Sequence, residues 1–413
     1  MIYVHVPFCR SFCTYCDFYS EVATKCRNAE DAVRQESDFE RYADALAAEI
    51  RERKNEIQET CAGNGVSTLY IGGGTPSVLP LGVFRRMLDA LKEIGVSGEF
   101  TEFTVEVNPE DVVDKGEDYV KGLLELGVNR FSMGVQSFDD GILKWMNRRH
   151  DSATAVKAYG ILESAGVRNI SIDLIFGLPQ ISDELWRETL KQALDISSSG
   201  IPPKHISSYQ LSVEPGSMLA KMVDKGMWSE ASDELCERQY RILCEELDKA
   251  GYHHYEISNF AQPGYEAVHN SAYWRHVPYV GLGPGAHSCL AEAYRGSAPE
   301  SMLQKGGCNV SGNIIRQWNI DDLRGYINAA QNGDFAAVRD GEVLDAGQIV
   351  IERVMLGLRT SVGLPEDVLM ECCGAGAVDA AMACGDLVRC PGGNIRIPES
   401  RFFVSDRIIS DIV

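Results

Sequence analysis

The sequence predicts an α/β protein built on a parallel sheet, followed by a smaller C-terminal α+β region. Six short apolar-rich stretches alternate with helical segments, and right-handed crossovers of this kind build parallel sheets. Six strand–helix units are two short of a complete eight-unit barrel. Helical patterns followed by a glycine-containing hairpin fill residues 341–413. The six predicted strands are residues 2–6, 67–71, 103–107, 130–136, 170–176 and 205–211.

Amphipathic helices are predicted between these strands. In residues 36–57, the apolar side chains Phe39, Tyr42, Leu46 and Ile50 recur at three- and four-residue spacings, which is typical of a helix. The other helices are predicted at residues 79–94, 119–126, 152–165, 185–196 and 233–250. Residues 21–35 are polar and mixed in charge, and they are predicted to form a loop.

Composition limits the class of protein. The 413 residues suffice for two or three domains, and 45% hydrophobic with 24% charged residues is ordinary for a globular protein. The net charge of −21 disfavours nonspecific nucleic-acid binding. No apolar run approaches the about 18 residues of a membrane-spanning helix. Met1 leads directly into the first strand, so we expect no targeting segment and a reducing, cytoplasmic location.

Three of the 13 cysteines form a compact motif. Cys9, Cys13 and Cys16 have the spacing C-x3-C-x2-C, and thiolates favour iron–sulfur clusters, zinc or Cu(I). Three thiolates on a [4Fe–4S] cluster leave one iron open, and S-adenosylmethionine could chelate it through its amine and carboxylate. The alternatives are three unrelated thiols, or zinc with His5 as the fourth ligand, although the offset of His5 fits no zinc-finger pattern. The spacing therefore favours the cluster.

The residues around these cysteines, YVHVPFCRSFCTYCDFYS, resemble the radical S-adenosylmethionine superfamily. More narrowly, they resemble the group that contains oxygen-independent coproporphyrinogen III oxidase and a heme-chaperone branch. The resemblance extends through most of the chain. It implies an open six-unit (β/α)6 partial TIM barrel of the radical S-adenosylmethionine type, with a [4Fe–4S] cluster and S-adenosylmethionine as cofactors.

A glycine-rich turn follows the second predicted strand, with the sequence Gly72-Gly73-Gly74-Thr75-Pro76. Consecutive glycines let a backbone fold tightly and approach a ligand closely. The pattern alone is weak, because many strand-to-helix turns contain glycine. The family resemblance implies that Gly73, Gly74 and Thr75 contact the methionine end of S-adenosylmethionine.

Polar residues near the ends of later strands are further candidates for the cofactor site. Glu106, Gln136 and Asp173 lie in or near strand ends, and Arg148 follows the fourth strand. Taken singly, each is more often a solvated or structural polar residue. The resemblance implies that these four residues contact S-adenosylmethionine, and that Tyr3 packs beside it.

A region rich in histidine, aromatic residues and glycine follows the sixth strand, at residues 253–288. Aromatic walls and an imidazole suit heme, but an aromatic-rich edge of the sheet explains the composition equally well. The sequence HNSAYW, which begins at His269, resembles the motif of the heme-chaperone branch. The resemblance therefore implies that His269 contacts heme.

The sequence of the last third of the chain indicates two further regions, a connecting segment and a C-terminal domain. Residues 291–340 are a connecting segment with a short helix at 321–330. Helices are predicted at 348–359, 364–371 and 378–384, then a hairpin of 387–389 with 395–397. Helices and a hairpin resemble the winged-helix-like module of the family, which gives domains at 1–290, 291–340 and 341–413. It lacks a basic face, so we do not expect DNA binding.

Two features distinguish the branches of the group. The oxidase has a further cysteine two residues past the third, and this chain has Phe18 at that position. The oxidase also has a longer segment before its cysteine motif, where only eight residues precede Cys9 here. We therefore expect a heme chaperone that delivers heme to acceptor proteins, including acceptors it meets at a membrane surface. The alternatives are coproporphyrinogen III oxidase and a radical enzyme with another substrate.

Overall fold

The structure is a computed structural model that describes residues 1–23, 29–63, 67–291, 314–390 and 392–413. Cys26 and Cys308, predicted to be structural or idle thiols, lie outside these residues. All the predicted site residues lie within them.

The described residues form a central sheet of nine strands. In chain order, the strands are β1 Ile2–Val6, β2 Thr68–Gly73, β3 Glu102–Val107, β4 Arg130–Gln136, β5 Ile170–Phe176, β6 His205–Gln210, β7 His253–Glu256, β8 Asn259–Ala261 and β9 Val280–Leu282. Their order across the sheet is β9-β1-β2-β3-β4-β5-β6-β8-β7.

Strands β1 to β6 are parallel throughout and correspond to the six predicted strands. This confirms the predicted open, six-unit partial barrel. The sequence did not reveal the flanking strands: β9 pairs with β1 in parallel, and β8 pairs antiparallel with β6 and β7. These strands are only three or four residues long, which gives little room for a period-two pattern.

The register shows that the barrel has a polar inner face. Tyr3 pairs with Tyr70, which pairs in turn with Thr104 on the next strand. Two inward-facing positions further along the strands, Gly134 pairs with Asp173, which pairs with Ser207. Alternate residues point to the opposite face, where apolar side chains such as those of Ile71, Val105 and Met133 are 0–1% exposed. The helices cover this apolar face, and the polar face surrounds the site.

Each helix predicted between the strands is present, but the predictions need correction in three places. The helix predicted at residues 119–126 begins already at Pro109, and the helix Asp140–Trp145 was not predicted. Residues 29–35 were predicted as loop but belong to the first helix, Ala29–Glu52, because a helix exposed on one side can be largely polar. The other helices as far as strand β7 are Lys54–Gly63, Leu81–Glu93, Pro109–Glu125, Asp140–Trp145, Ser152–Ala165, Asp183–Leu194, Met218–Asp224 and Asp233–Lys249.

A second sheet follows the central one and contains β10 His287–Ala291, β11 Ile314–Asn319 and β12 Arg339–Leu344. All its pairings are antiparallel, and the helix Leu323–Asn332 connects its last two strands. The helix Val268–Trp274 precedes this sheet.

The C-terminal region contains helices followed by the predicted hairpin. The helices are Ala346–Leu358, Glu366–Cys373, Ala375–Cys384 and Ser405–Ile412. In the hairpin, Val388–Arg389 pairs antiparallel with Asn394–Arg396, which also pairs with Leu364–Pro365. The division into domains at residues 290 and 340 stays a prediction.

Candidate functional site

The loop that follows β1 carries the cysteine motif. Cys9, Cys13 and Cys16 are unpaired thiols that line one cavity of about 440 Å³. Burial raises the pKa of Cys16 to about 12, so metal binding must displace its proton. No three His, Cys, Asp or Glu side chains in the described residues converge on one ion, as the zinc alternative requires. A [4Fe–4S] cluster fits better, because each cysteine ligates a different iron.

Backbone hydrogen bonds fix the glycine turn to the cysteine loop. The N–H of Gly74 donates to the carbonyl of Val6 (2.8 Å), and the N–H of Thr75 donates to that of Phe8 (2.7 Å). A Cβ atom at Gly74 would lie 2.7 Å from the Phe8 carbonyl oxygen, so only glycine fits. The Thr75 hydroxyl is 3.4 Å from the Cys9 sulfur. The two motifs therefore form one unit.

Packing within the protein is enough to require glycine at position 73. Its φ is +101°, and an added Cβ atom would lie 2.6 Å from the imidazole of His5. A side chain at position 73 would therefore strain the backbone and strike β1, whether or not a ligand is bound.

Two partly buried carboxyl groups face the same cavity. The Tyr70 hydroxyl donates to Glu106 at 2.7 Å, and burial raises the pKa of Glu106 to about 8. The Ser132 hydroxyl lies 3.2 Å from both carboxylate oxygens of Asp173, whose pKa burial also raises. A cationic ligand would stabilise the ionised form of both carboxyl groups.

Arg148 connects the barrel to the cysteine loop. Its guanidinium donates to the Gly134 carbonyl at 2.7 Å and to the Cys13 sulfur at 3.5 Å. Its Nε is buried and has no hydrogen-bond partner among the described residues. A buried donor without a partner is rare in proteins, and this one is available to an anionic group of a ligand.

Gln136 ends β4 in an unusual conformation. Its φ is +67°, and the pairing with β5 is irregular between Gly134 and Gln136. Left-handed backbone is costly for a residue other than glycine, and such strain clusters at functional sites. The irregularity directs the Gln136 side chain into the cavity, where it lies over Gly134.

A second cavity, of about 350 Å³, contains the last residue predicted to contact S-adenosylmethionine. Tyr3 lines this second cavity and is not among the residues that line the first. Its hydroxyl is 3.1 Å from His5 Nδ1. Asp17 and Phe18, from the cysteine loop, line both cavities. The proposed packing of Tyr3 beside S-adenosylmethionine stays a prediction.

His269, the predicted heme contact, is 1% exposed. Its Nδ1 lies 2.7 Å from the Thr68 hydroxyl and its Nε2 lies 2.8 Å from the Tyr273 hydroxyl. Glu102 accepts hydrogen bonds from the backbone N–H groups of Val268 and His269. Direct coordination of iron by His269 would therefore break a buried hydrogen bond, and it stays a prediction.

Sequence reasoning missed several residues of the first cavity. Asn270 reaches it from the HNSAYW segment, and Arg130, Ser207 and Tyr209 line it from the inner face of the strands. The alternation of polar and apolar residues in β4 could have identified Arg130, whereas β6, with the sequence HISSYQ, has no such alternation. No local pattern would have placed Asn270 at this cavity, because its position depends on how the helix Val268–Trp274 packs on the barrel.

Comparison with known proteins agrees with this architecture. A sequence model of the Radical SAM superfamily matches residues 3–193. The structure of coproporphyrinogen III oxidase (HemN) from Escherichia coli has a TM-score of 0.73 at 21% identity, with 100% of this chain and 89% of that chain covered. The fold and the cysteine cavity define a radical S-adenosylmethionine protein.

Curated relatives define the family more narrowly. The heme chaperone HemW of Synechocystis sp. is 32% identical over 88% of this chain and 78% of its own length. HemW of Bacillus subtilis is 31% identical over 88% of this chain and 84% of its own length. The chain belongs to the HemW family of radical S-adenosylmethionine proteins.

Membership of the superfamily implies a [4Fe–4S] cluster and S-adenosylmethionine. The first cavity fits both groups: three thiols line it, a tight glycine turn closes it, and a buried guanidinium donor has no partner there. Among the described residues, no helix is long and apolar enough to span a bilayer.

Proposed function

We propose that this protein binds heme and delivers it to acceptor proteins, as the name of its HemW relatives describes for them. The observation that carries the proposal is the similarity to heme chaperones over 88% of the chain. Phe18 supports it, because this residue occupies the position of the additional cysteine of the oxidase and is 62% exposed.

The first cavity is the proposed cofactor site. Cys9, Cys13 and Cys16 hold the [4Fe–4S] cluster, and the fourth iron is left to S-adenosylmethionine. When bound and reduced, this pair supplies the chemistry of the deoxyadenosyl radical. The proposed contacts of S-adenosylmethionine in this cavity are Gly73, Gly74, Thr75, Glu106, Gln136, Arg148 and Asp173. Tyr3, the other contact expected from the sequence, lines the second cavity instead.

The charges of the cavity support these roles. Glu106 and Asp173 are partly buried carboxyl groups suited to a cation, such as the ammonium or sulfonium of the ligand. Arg148 is suited to its carboxylate, because a guanidinium can donate two parallel hydrogen bonds to such a group. His269 belongs to the proposed heme region.

The decisive experiment measures transfer and turnover on the same preparation. Reconstituted protein loaded with hemin is mixed with apomyoglobin, whose holo-form has a distinct spectrum, and free hemin at the same concentration is the control. We expect saturable hemin binding and transfer. In parallel, anaerobic protein with S-adenosylmethionine and a reductant is given coproporphyrinogen III, and we expect no protoporphyrinogen IX.

The outcomes separate the functions. Several turnovers of coproporphyrinogen III would overturn the chaperone proposal in favour of the oxidase. Absence of saturable hemin binding would also overturn it and would leave a radical enzyme with another substrate.

A further inference from the structure

The second cavity is lined mainly by aromatic rings and lies beside β1 and β9. Five aromatic side chains and two imidazoles contribute to its wall: Tyr3, Phe18, Tyr19, Tyr273, Tyr279, His5 and His287. The remaining lining residues are Asp17, Gly285 and Asp321. An aromatic-walled space with imidazole suits an iron porphyrin, because the rings can pack on the macrocycle and a nitrogen can bind the metal.

The hydrogen bonds of the histidines show which imidazole is available. His5 uses both ring nitrogens, on the Tyr19 carbonyl (2.8 Å) and the Tyr3 hydroxyl (3.1 Å). His269 also uses both. Of the eight histidines, all of which are described, His287 alone both lines a cavity and has no hydrogen bond within the described residues. It is exposed and stacks on Trp318, with ring centroids 5.8 Å apart.

The local fold fixes His287 in place. His287 opens strand β10 and pairs with Trp318 on β11. Strand β9 approaches so closely that a Cβ atom at Gly281 would lie 1.9 Å from the His287 carbonyl oxygen. The backbone at His287 is therefore held, while its side chain remains open to the cavity. Sequence reasoning missed this residue because its motif, Gly281 to Ser288, resembles an ordinary glycine-rich turn.

We propose that the second cavity binds heme and that His287 supplies the axial imidazole to the iron. The proposal rests on the proposed heme-chaperone function and adds the site and its ligand. His269 is then a positioning residue: its hydrogen bond to the Tyr273 hydroxyl holds a ring of the cavity wall.

The charges of the cavity support imidazole over phenolate as the ligand. Burial raises the pKa of Tyr279 to about 12 and that of Tyr273 well above its usual value, so both phenols stay protonated near neutral pH. Partial burial lowers the pKa of His287, which favours the neutral ring that binds metal.

The same charges orient the heme. Asp17 and Asp321 line the cavity, and the described lining residues include no lysine or arginine. The propionates must therefore point to solvent, and the apolar edge of the macrocycle enters. One axial ligand on a ring with an exposed edge gives binding that an acceptor can reverse.

The test titrates hemin into cluster-reconstituted variants and records visible and electron paramagnetic resonance spectra. We expect His287→Ala and the bulkier His287→Gln to bind hemin at least tenfold more weakly and to lose the wild-type axial signature. Added imidazole should restore that signature in His287→Ala. His269→Ala should weaken binding less and keep the signature. His253→Ala is the matched control, because His253 is exposed and lines neither cavity.

The results distinguish this assignment from the proposed function. Wild-type affinity and an unchanged signature in His287→Ala would overturn the assignment, as would loss of the signature in His269→Ala alone. In either case, heme transfer by the wild-type protein would leave the chaperone function standing. Unchanged affinity for S-adenosylmethionine in His287→Ala would show that the variant is folded.

Discussion

Single residues of the first cavity have a strained backbone or a shifted pKa. Such unfavourable features are typical of functional sites, where ligand binding compensates for them. Gln136 and Glu106 are the clearest examples. The folded chain would accommodate glycine more easily at position 136 and a neutral side chain more easily at position 106. These substitutions should therefore raise the stability of the cofactor-free protein and weaken cofactor binding.

Replacing Gln136 by glycine should relieve backbone strain while it weakens cofactor binding. The left-handed conformation at φ +67° costs about 1–2 kcal/mol for a residue with a side chain, and the extra freedom of glycine when unfolded returns about 0.5–1 kcal/mol. We therefore expect the free energy of unfolding to rise by up to about 1 kcal/mol. Loss of one amide contact should weaken S-adenosylmethionine binding about three- to tenfold.

Urea unfolding and calorimetric titration measure these two effects of Gln136→Gly. The matched control is His276→Gly, because His276 also has a positive φ (+58°) but lines neither cavity. This control should leave S-adenosylmethionine affinity unchanged. Full affinity in Gln136→Gly would exclude Gln136 as a contact.

Glu106 should make the cofactor-free protein less stable as the pH rises. Its pKa is about 8 in the folded chain and near 4.5 when unfolded, so the folded state binds more protons between these values. The free energy of unfolding should therefore fall as the pH rises through this window. Glu106→Gln should reduce the slope, and part of it should remain because the pKa of Asp173 is also raised.

Thermal unfolding of the cofactor-free protein between pH 5 and 8.5 measures this slope. Glu125→Gln removes an exposed carboxyl group and should leave the slope as it is. An identical slope in wild-type protein and Glu106→Gln would show that Glu106 is ionised throughout.

At the scale of elements, the strands could be predicted and their packing partners could not. In β4, for example, Phe131, Met133 and Val135 recur at every second residue, and short apolar-rich stretches of this kind predicted the six parallel strands. The positions of Gly73 and Asn270 depend on contact with His5 and on how the helix that carries Asn270 packs on the barrel, which no local pattern records. For that reason the sequence did not reveal the second cavity, and the contacts expected at the cysteine site stay predictions.

The structure also changes how the glycine turn should be tested. A valine at position 73 would strike His5 and strain the backbone before any ligand is bound, so weaker binding in that variant would have two causes. The cysteine loop offers a cleaner test, because its three thiols are partly exposed.

Replacing Cys9, Cys13 and Cys16 together by alanine should abolish the cluster. Wild-type protein reconstituted without oxygen should hold about four iron and four sulfide, and the triple variant should lose the broad visible absorption of thiolate-bound iron. The control replaces Cys61, Cys372 and Cys373, three thiols that line neither cavity. Iron–sulfur absorption in the first variant, or its loss in the control, would refute the assignment.

For the molecule as a whole, the arrangement of the two cavities matters most. Cysteine-loop residues Asp17 and Phe18 form part of both walls. A cluster and S-adenosylmethionine in the first cavity would order this loop, and a ligand in the second would meet a wall already formed. Because the first ligand then bears the entropic cost of ordering, binding should be positively cooperative.

We therefore predict that hemin binds at least threefold more tightly when cluster-loaded protein is saturated with S-adenosylmethionine, and that hemin raises S-adenosylmethionine affinity by the same factor, as linkage requires. Phe18→Ala should reduce this factor toward one, because it removes the side chain that the two cavities share. Phe12→Ala is the matched control: Phe12 is 49% exposed, belongs to the same loop and lines only the first cavity. Calorimetric titrations of each ligand with and without the other measure both factors. Independent affinities in the wild-type protein would show that the shared wall does not couple the cavities. Equal losses of coupling in the two variants would show that the loop acts as a whole and that Phe18 has no special part.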